Sequence, residues 1–526
     1  MSAAGDLLDL GNRLAQRGEL QQAAASFRNA LAVNPEWPEA LSNLGNALRE
    51  MGQPGEAAVC LERALERRPE FPEALLNLAV VREEQGALED AADRLRLAIR
   101  LRPQMAYAHN NLASVLQKQG RTGEALEHLR EALRLDPDFA EAHHNLGVVL
   151  DGMGRPGEAI ASYREALRRK ADYADAHLDL GLALLRSGDF TAGWEEYEWR
   201  WRTRRARVRR FVQPEWDGSP LEGRTLLIHA EQGLGDTVQF LRYVPLVPDA
   251  AILLEVPPAA APLVGQTPWS ARVPPRALHP LAARAPAADG GSAAPAAGSR
   301  FAGVAGIVPA GAALPPFDRH IPLLSLPRLF QTTLRTIPRA TPYLPAAYPA
   351  RIAFWNRRMG HEGTFRIGLC WAGSGAHSNN RTRSMRLADC APLAAIPGIS
   401  FFSLQKGPPS REPPPDGMEI VDVLEGTADL RDTAAVIQNL DLVLSVDTLV
   451  AHLAGALARA VWTLLPFAAD WRWLRQREDC PWYPTMRLVR QPGAGDWKSV
   501  IERVAGCLEA AHLEKSRLCP PLKLKP

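Results

Sequence analysis

A proline returns every 34 residues at Pro35, Pro69, Pro103 and Pro137, and this period constrains the fold more than any other feature of the chain. In the same phase stand Gly18, Gly52, Gly86, Gly120, Gly154 and Gly188. Leu10, Leu44, Leu78, Leu112, Leu146 and Leu180 keep it too, each followed by Gly or Ala. A fixed period of this length marks units that cannot bury an apolar face alone and must stack. Within one unit, Leu41, Leu44 and Leu48 form an apolar stripe that stops at Gly52, and Ala57, Leu61, Ala64 and Leu65 form a second that stops before Pro69. Both stripes have helical spacing, so each unit is predicted to be a helical hairpin, six in all from about residue 4 to 207.

The pattern resembles the tetratricopeptide (TPR) repeat, an α-helical solenoid in which small residues let paired helices approach closely. One position of the first helix carries Asn43, Asn77, Asn111 and Asn145, with Asp9 and Asp179 in the outer units. In the similar array of O-linked N-acetylglucosamine transferase such a ladder holds peptide backbone, and the resemblance implies a protein or peptide partner on the concave face. The other reading is that these asparagines only satisfy local groups. After Phe190 the small residues give way to Trp194, Tyr197 and Trp201 on one helical face, predicted to cap the array against the next domain. Seven arginines between Arg200 and Arg210 follow, predicted to be a solvated face without a chemical role.

Composition narrows the class. At 526 residues with 46% hydrophobic and 23% charged residues, the chain is expected to be folded and of several domains. A net charge of +2 gives no basis for nucleic-acid binding. Six dispersed cysteines, Cys60, Cys370, Cys390, Cys480, Cys507 and Cys519, contain no C-x-x-C pair and are expected to be reduced thiols. With neither a signal peptide nor a transmembrane segment legible, a cytoplasmic location is expected.

From Arg224 onward short apolar runs alternate with helical patterns, which predicts parallel sheet with crossover helices. Strands are expected at Thr225 to Ala230 and Ala251 to Val256, with a helix at Thr237 to Leu246 between them. Eighteen of the 44 prolines lie between Pro257 and Pro349, and about 265–312 is expected to be an Ala/Pro-rich insertion. A linking helix around Trp355 leads to strands at Arg366 to Trp371, Ile399 to Leu404, Glu419 to Val423, Leu442 to Val446 and Val461 to Leu465, and to a helix at Trp497 to Ala511. The expected domains are therefore 1–207, two α/β halves at 208–350 and 351–515, and a tail at 516–526. Ligands of open α/β sheets bind beyond the carboxyl ends of the strands, so chemistry is sought there.

Three segments meet that requirement. His229-Ala-Glu-Gln-Gly-Leu-Gly-Asp236 joins a strand to a helix; it lacks the third glycine of a dinucleotide fingerprint, and Asp236 reads as an N-cap or a general base. Trp371-Ala-Gly-Ser374 opens a Gly/Arg-rich loop with His377, Asn379, Arg381 and Arg383, and Lys406 closes the next strand, a set suited to an anion. Asp447 and Thr448 end a buried strand, and Thr448, His452, Gly455 and Arg459 share one face of the following helix, a set suited to a diphosphate. The α/β region has no D-x-D, and neither H-E-x-x-H nor a P-loop occurs, so no metal site is expected.

These segments, with Leu314-Pro-Pro-Phe-Asp318, Pro322-Leu-Leu-Ser-Leu-Pro327 and Asp470-Trp-Arg-Trp473, resemble bacterial proteins that join TPR repeats to a glycosyltransferase region of the GT-B fold, a Rossmann-type two-half domain similar to heptosyltransferases. The resemblance implies inverting, metal-independent transfer from a nucleotide-sugar, with no tightly bound cofactor. It casts Asp236 as general base, Trp371, Ser374, Asp447, Thr448 and His452 at the donor nucleotide and sugar, and Arg381, Arg383 and Lys406 against the diphosphate. Heptosyltransferases carry lysine where Arg383 stands, a change of geometry rather than charge. Two alternatives stay open: a TPR scaffold whose GT-B domain is inactive, and a nucleotide-sugar epimerase on the same fold.

Overall fold

The computed structural model describes residues 3–203, 206, 208–248, 250–265, 304–344, 349–360, 363–375 and 380–513. The chain divides into two compact units, up to Ala183 and from Leu184 onward, a division that falls inside one helix. This is upstream of the boundary expected at 207, because the aromatic helix after Gly188 packs with the α/β elements.

The first unit is helical throughout. Its helices are α1 Ala3–Gln16, α2 Leu20–Val33, α3 Pro38–Glu50, α4 Pro54–Arg67, α5 Pro72–Glu84, α6 Leu88–Leu101, α7 Ala106–Lys118, α8 Thr122–Leu135, α9 Ala140–Gly152, α10 Pro156–Arg169 and α11 Ala174–Ser187. The periodic glycines end the first helix of each pair in the left-handed region, with φ between 76° at Gly18 and 94° at Gly188. The residue after each glycine donates back to the last turn, as in Gln53 N–H to the Leu48 carbonyl at 2.9 Å, so the orphan carbonyls of the helix end are satisfied in the same way from repeat to repeat. This is why glycine recurs with the period.

Small residues set the distance between paired helices. A Cβ on Gly11 would run into the Phe27 ring, one on Gly45 would lie 2.6 Å from Leu61, and one on Gly147 would lie 2.5 Å from the Tyr163 ring. Opposite Leu95 and Leu129 the same place carries Ala79 and Ala113, whereas both aromatic partners face glycine. The rings thus require the smaller residue.

The second unit begins with α12, Phe190–Tyr197, and holds two parallel sheets. The first comprises β1 Thr225–His229, β2 Ala251–Val256, β3 Val304–Pro309 and β4 Arg319–Pro322 in the order β3-β2-β1-β4. The second comprises β5 Phe365–Cys370, β6 Ile399–Ser403, β7 Ile420–Val421, β8 Leu442–Val446, β9 Val461–Leu465 and β10 Met486–Arg490 in the order β10-β9-β8-β5-β6-β7. Counted within its own half this is the Rossmann order, with its topological switch point between β5 and β8. The linking helix is Pro349–Met359 and the last helix Trp497–Leu513.

Several expectations change. Residues 266–303 of the Ala/Pro-rich insertion lie outside the described residues, as do the 516–526 tail, His377 and Asn379, but Val304–Pro309 is a strand paired with β2 rather than insertion. The strand expected over 419–423 is reduced to Ile420–Val421 at the sheet edge. The helix after β1 is α13, Leu234–Phe240, and tightens into a 3-10 turn over Leu241–Leu246, where Pro245 lacks the N–H a longer helix needs. β4 and β10 are absent from the expected set because proline or arginine interrupts their apolar runs.

If Gly147 is small because of Tyr163, Gly147→Ala should destabilise the array by about 1 to 3 kcal/mol despite the better helix propensity of alanine. Gly55→Ala in α4, where a Cβ meets nothing within 4 Å, should instead be neutral or stabilising by about 0.5 kcal/mol. Urea midpoints of the two variants test the contrast.

Candidate functional site

The β1–α13 loop and the β8–helix loop bring two helix starts together. Gly235 in α13 lies so close to the Leu449–Ala456 helix that an added Cβ would be 3.0 Å from the His452 ring, a contact tight enough to favour glycine there. Asp236 stands at the third position of α13. Its Oδ2 accepts from the Gly233 N–H at 2.9 Å, and its Oδ1 accepts from Arg472. Each oxygen retains a second lone pair, and the side chain is 23% exposed, so Asp236 can still accept a proton from a bound hydroxyl.

Arg472 is the group the sequence reading did not single out. It is buried, donates to Asp236 and to Asp470 Oδ1 at 2.8 Å, and lies on the Trp471 ring with its guanidinium carbon 4.5 Å from the centroid. Burial opposes its charge, but the Asp470 and Asp236 carboxylates outweigh that and raise its pKa. A signal was present: Asp-Trp-Arg-Trp sets two opposite charges among tryptophans, and charges so placed persist in a core only when paired.

The switch point of the second sheet carries the remaining residues. Gln405, also missed, clamps the loop after β5: its Oε1 accepts from the N–H groups of Trp371 at 3.1 Å and Ala372 at 2.8 Å, and its Nε2 donates to the Ala372 carbonyl at 3.0 Å. Gly373 donates to Ser384 Oγ at 3.0 Å and permits Arg383 to lie against it, since a Cβ there would be 2.7 Å from the Arg383 Nε. That Nε is buried and has no hydrogen-bond partner among the described residues. Asp447, at the end of β8, is largely buried, with His452 Nε2 3.8 Å from its Oδ1. Burial, together with the nearby Asp470 carboxylate, pushes its pKa up to about 6.

Other expected site residues have different duties. Trp371 is a core side chain, 1% exposed, instead of a ligand-facing ring. Thr448 turns its hydroxyl onto Ser445 Oγ at 2.9 Å, away from the helix start. His452 is locked in a polar chain, its Nδ1 3.1 Å from the Tyr483 hydroxyl and its ring stacked on Trp473, and burial pushes its pKa down to about 3, so it is a neutral packing element. Lys406 donates to the carbonyls of Leu424 and Thr427 and so secures a turn rather than facing the switch point. Arg459 donates to the Leu440 carbonyl and leaves the set. Ser374 and Arg381 are exposed at the rim.

Two further observations concern the chain ahead of β1. Arg200 is no solvated residue: it is 7% exposed and forms a two-pronged pair with Glu231 at 2.8 and 2.9 Å. The aromatic cap is internal to this unit, with Trp194 edge-on to Trp471 at 5.2 Å and its indole N–H on the Thr332 carbonyl at 3.1 Å. In the repeats, the asparagine ladder bonds from one first helix to the next: Asn43 to Asn12 at 2.8 Å, Asn77 to Ser42 at 3.5 Å, and Asn145 to Asn110 at 2.9 Å. Asn111 accepts from Asn110 at 3.3 Å, and His144 Nε2 is 2.8 Å from Asp179. The local-satisfaction reading thus accounts for part of each amide, and the side chains stay half-buried.

Among the described residues no group of three or more His, Cys, Asp or Glu is arranged to hold a metal, and no helix is long and apolar enough to cross a membrane. Residues 11–52, 42–106 and 104–172 match tetratricopeptide-repeat families, so the N-terminal part of the chain is a TPR array. Protein FlbA of Caulobacter vibrioides is 29% identical over 343 residues, covering 62% of this chain and 53% of FlbA. The chain therefore spans about half the length of this curated relative, and a stretch that long extends well past the division at Ala183. Among solved structures, TTC0263, a thermophilic TPR protein of Thermus thermophilus, is 29% identical over 35% of this chain and all of its own, with a TM-score of 0.32. YrrB, a TPR protein with an unusual peptide-binding site, is 24% identical over 32% of this chain and 88% of its own, with a TM-score of 0.28.

The buried Asp447 yields a pH prediction. Its folded pKa of about 6 exceeds the ordinary 3.8, so the folded state binds the extra proton between those values. Its contribution to stability is present below pH ~4 and lost as pH rises through ~6. Asp447→Asn, which carries no charge, should gain roughly 1 to 3 kcal/mol on wild type between pH 5 and pH 8, read as a difference in denaturation midpoints at the two pH values.

Proposed function

We propose that the protein is an inverting, metal-independent glycosyltransferase of GT-B type that takes a nucleotide-sugar donor, and that the TPR array recruits its protein acceptor or partner in the cytoplasm. The observation that carries this reading is the buried Nε of Arg383, without a hydrogen-bond partner among the described residues, beside the β5/β8 switch point. A guanidinium seated against Gly373 at the carboxyl end of a Rossmann-order sheet is suited to a diphosphate.

In the proposed reaction an acceptor oxygen attacks the anomeric carbon, the bond from that carbon to the diphosphate oxygen breaks, and the diphosphate leaves with the electron pair. Asp236 takes the acceptor proton, using the lone pair its two hydrogen bonds leave open. Arg383, with Arg381 at the rim, offsets charge gathering on the leaving group. Asp447 faces the donor sugar. Lys406 has no part in this scheme, and Trp371, Thr448 and His452 support the site from behind.

One observation favours a second reading. Asp236 already accepts from the Gly233 N–H and from Arg472, so both its oxygens are engaged within the fold, as suits a TPR scaffold whose α/β region binds a ligand without transferring it.

Thermal shifts with UDP, GDP, ADP, CMP and their sugar conjugates test the proposal, since a ligand bound by the folded state alone raises apparent stability. One nucleotide should stabilise selectively, and Arg383→Ala should weaken it by about tenfold or more, roughly 1.4 kcal/mol. No shift with any nucleotide sinks the transferase. Binding with no turnover in either wild type or Asp236→Asn supports the scaffold.

A further inference from the structure

Ahead of β1, residues 208–213 pass the carboxyl ends of β1 and β2 as irregular chain with a bend at Val212 and Gln213. Val208 and Val212 are 52% and 100% exposed, Phe211 is half-buried, and Arg209, though its side chain is 45% exposed, reaches a buried carboxylate. Arg209 pairs with Glu255 at the end of β2, and the Phe211 ring sits in a cup of three rings, 4.5 Å from His320, 5.3 Å from His229 and 5.5 Å from Phe317. Among the described residues no backbone hydrogen bond holds 208–213. The segment is fastened by one ion pair and one ring, which places it at the easily opened end of local stability.

What it covers is polar and unsatisfied. His229 Nε2, His320 Nδ1 and Glu255 Oε1 are all buried without a hydrogen-bond partner among the described residues, and His229 and Glu255 are 5% and 1% exposed. A phenyl ring offers these atoms nothing, and buried polar groups left unpaired are costly. Three such atoms in one cup indicate a ligand that brings its own hydroxyls. Burial and the neighbouring His320 push the His229 pKa down to about 3, so its imidazole is neutral and offers one donor and one acceptor. With the Phe317 ring as an apolar wall and Glu255 as an acceptor, the cup combines an aromatic face for C–H groups with convergent polar atoms for hydroxyls.

We propose that 208–213 is a displaceable strap over a second binding site, formed by His229, His320, Glu255 and Phe317, which takes a sugar ring in place of the Phe211 side chain. The site is argued from its own atoms. Only its role, seating a sugar already carried by the protein acceptor, rests on the proposed transfer reaction.

The test uses the full-length protein with labelled histidines, following the imidazole signals of His229 and His320 while glucose, galactose, mannose and N-acetylglucosamine are added singly. At least one sugar should move both signals. Phe211→Ala, which removes the competing ring, should tighten that sugar about tenfold. Amide exchange over 208–213 in the wild type should rise when the sugar binds, a readout independent of any variant. The proposal is overturned if no sugar moves the two histidines in Phe211→Ala, or if a sugar binds while exchange of the strap stays unchanged. Sugar binding here without any nucleotide response keeps this site and sinks the transferase; a nucleotide response without sugar binding does the reverse.

Discussion

Arg472 is the contact on which the α/β unit depends. It follows β9, yet it reaches the first turn of α13, which follows β1, and its carboxylate partners among the described residues are Asp236 and Asp470. A guanidinium removed from water must be compensated nearly in full, so the loop carrying Asp470 and the loop carrying Asp236 are both held to the geometry that supplies their carboxylates. Trp471, Trp194, Phe240 and Trp482 close around it and exclude solvent, which strengthens the same pairs. The arrangement fixes where Asp236 can point.

The segment between the periodic helices and β1 is built into this unit rather than serving as a tether. Arg200 grips Glu231 in the loop that ends at Asp236, Tyr197 accepts from Gln232 at 2.8 Å, and Trp194 packs on Trp471. A short run of residues therefore braces the candidate base from one side, while Arg472 holds it from the other. Further along, Arg209 and Phe211 lie over the edge of the first sheet. The arginine-rich run thus contains at least two side chains, Arg200 and Arg209, that pair with buried carboxylates.

Legibility in the sequence followed local chemistry. The glycine at each repeat turn was readable because only a left-handed backbone closes that helix end, and the Gly/Ala position was readable because its neighbour is large. The apolar runs of β1, β2, β5, β6, β8 and β9 announced a buried parallel sheet. β3 and β4 did not: Val-Ala-Gly-Ile-Val-Pro is apolar but continues an Ala/Pro-rich stretch that masks it, and Arg-His-Ile-Pro is short and polar at its start. Asp236, Arg383 and Asp447 are candidates because each lies just beyond the carboxyl end of a strand, a position the sequence shows. The partners of Lys406 and Thr448 were not legible, because the sequence does not reveal which carbonyl or hydroxyl lies within reach of a side chain.

The sequence alone determined the helical repeats, the parallel character of the second unit and the loops at the carboxyl ends of its strands, because periodicity and turn chemistry act over a few residues. Only the tertiary structure decided which charged groups remain available. Arg472 and Asp236 are 236 residues apart, and His229 meets His320 across two strands. Whether a side chain serves as base, brace or packing depends on the solvent and partners that chain folding leaves around it. Burial made His452 a neutral strut and left Arg383 with an unmet donor, and neither outcome is a property of the residue type.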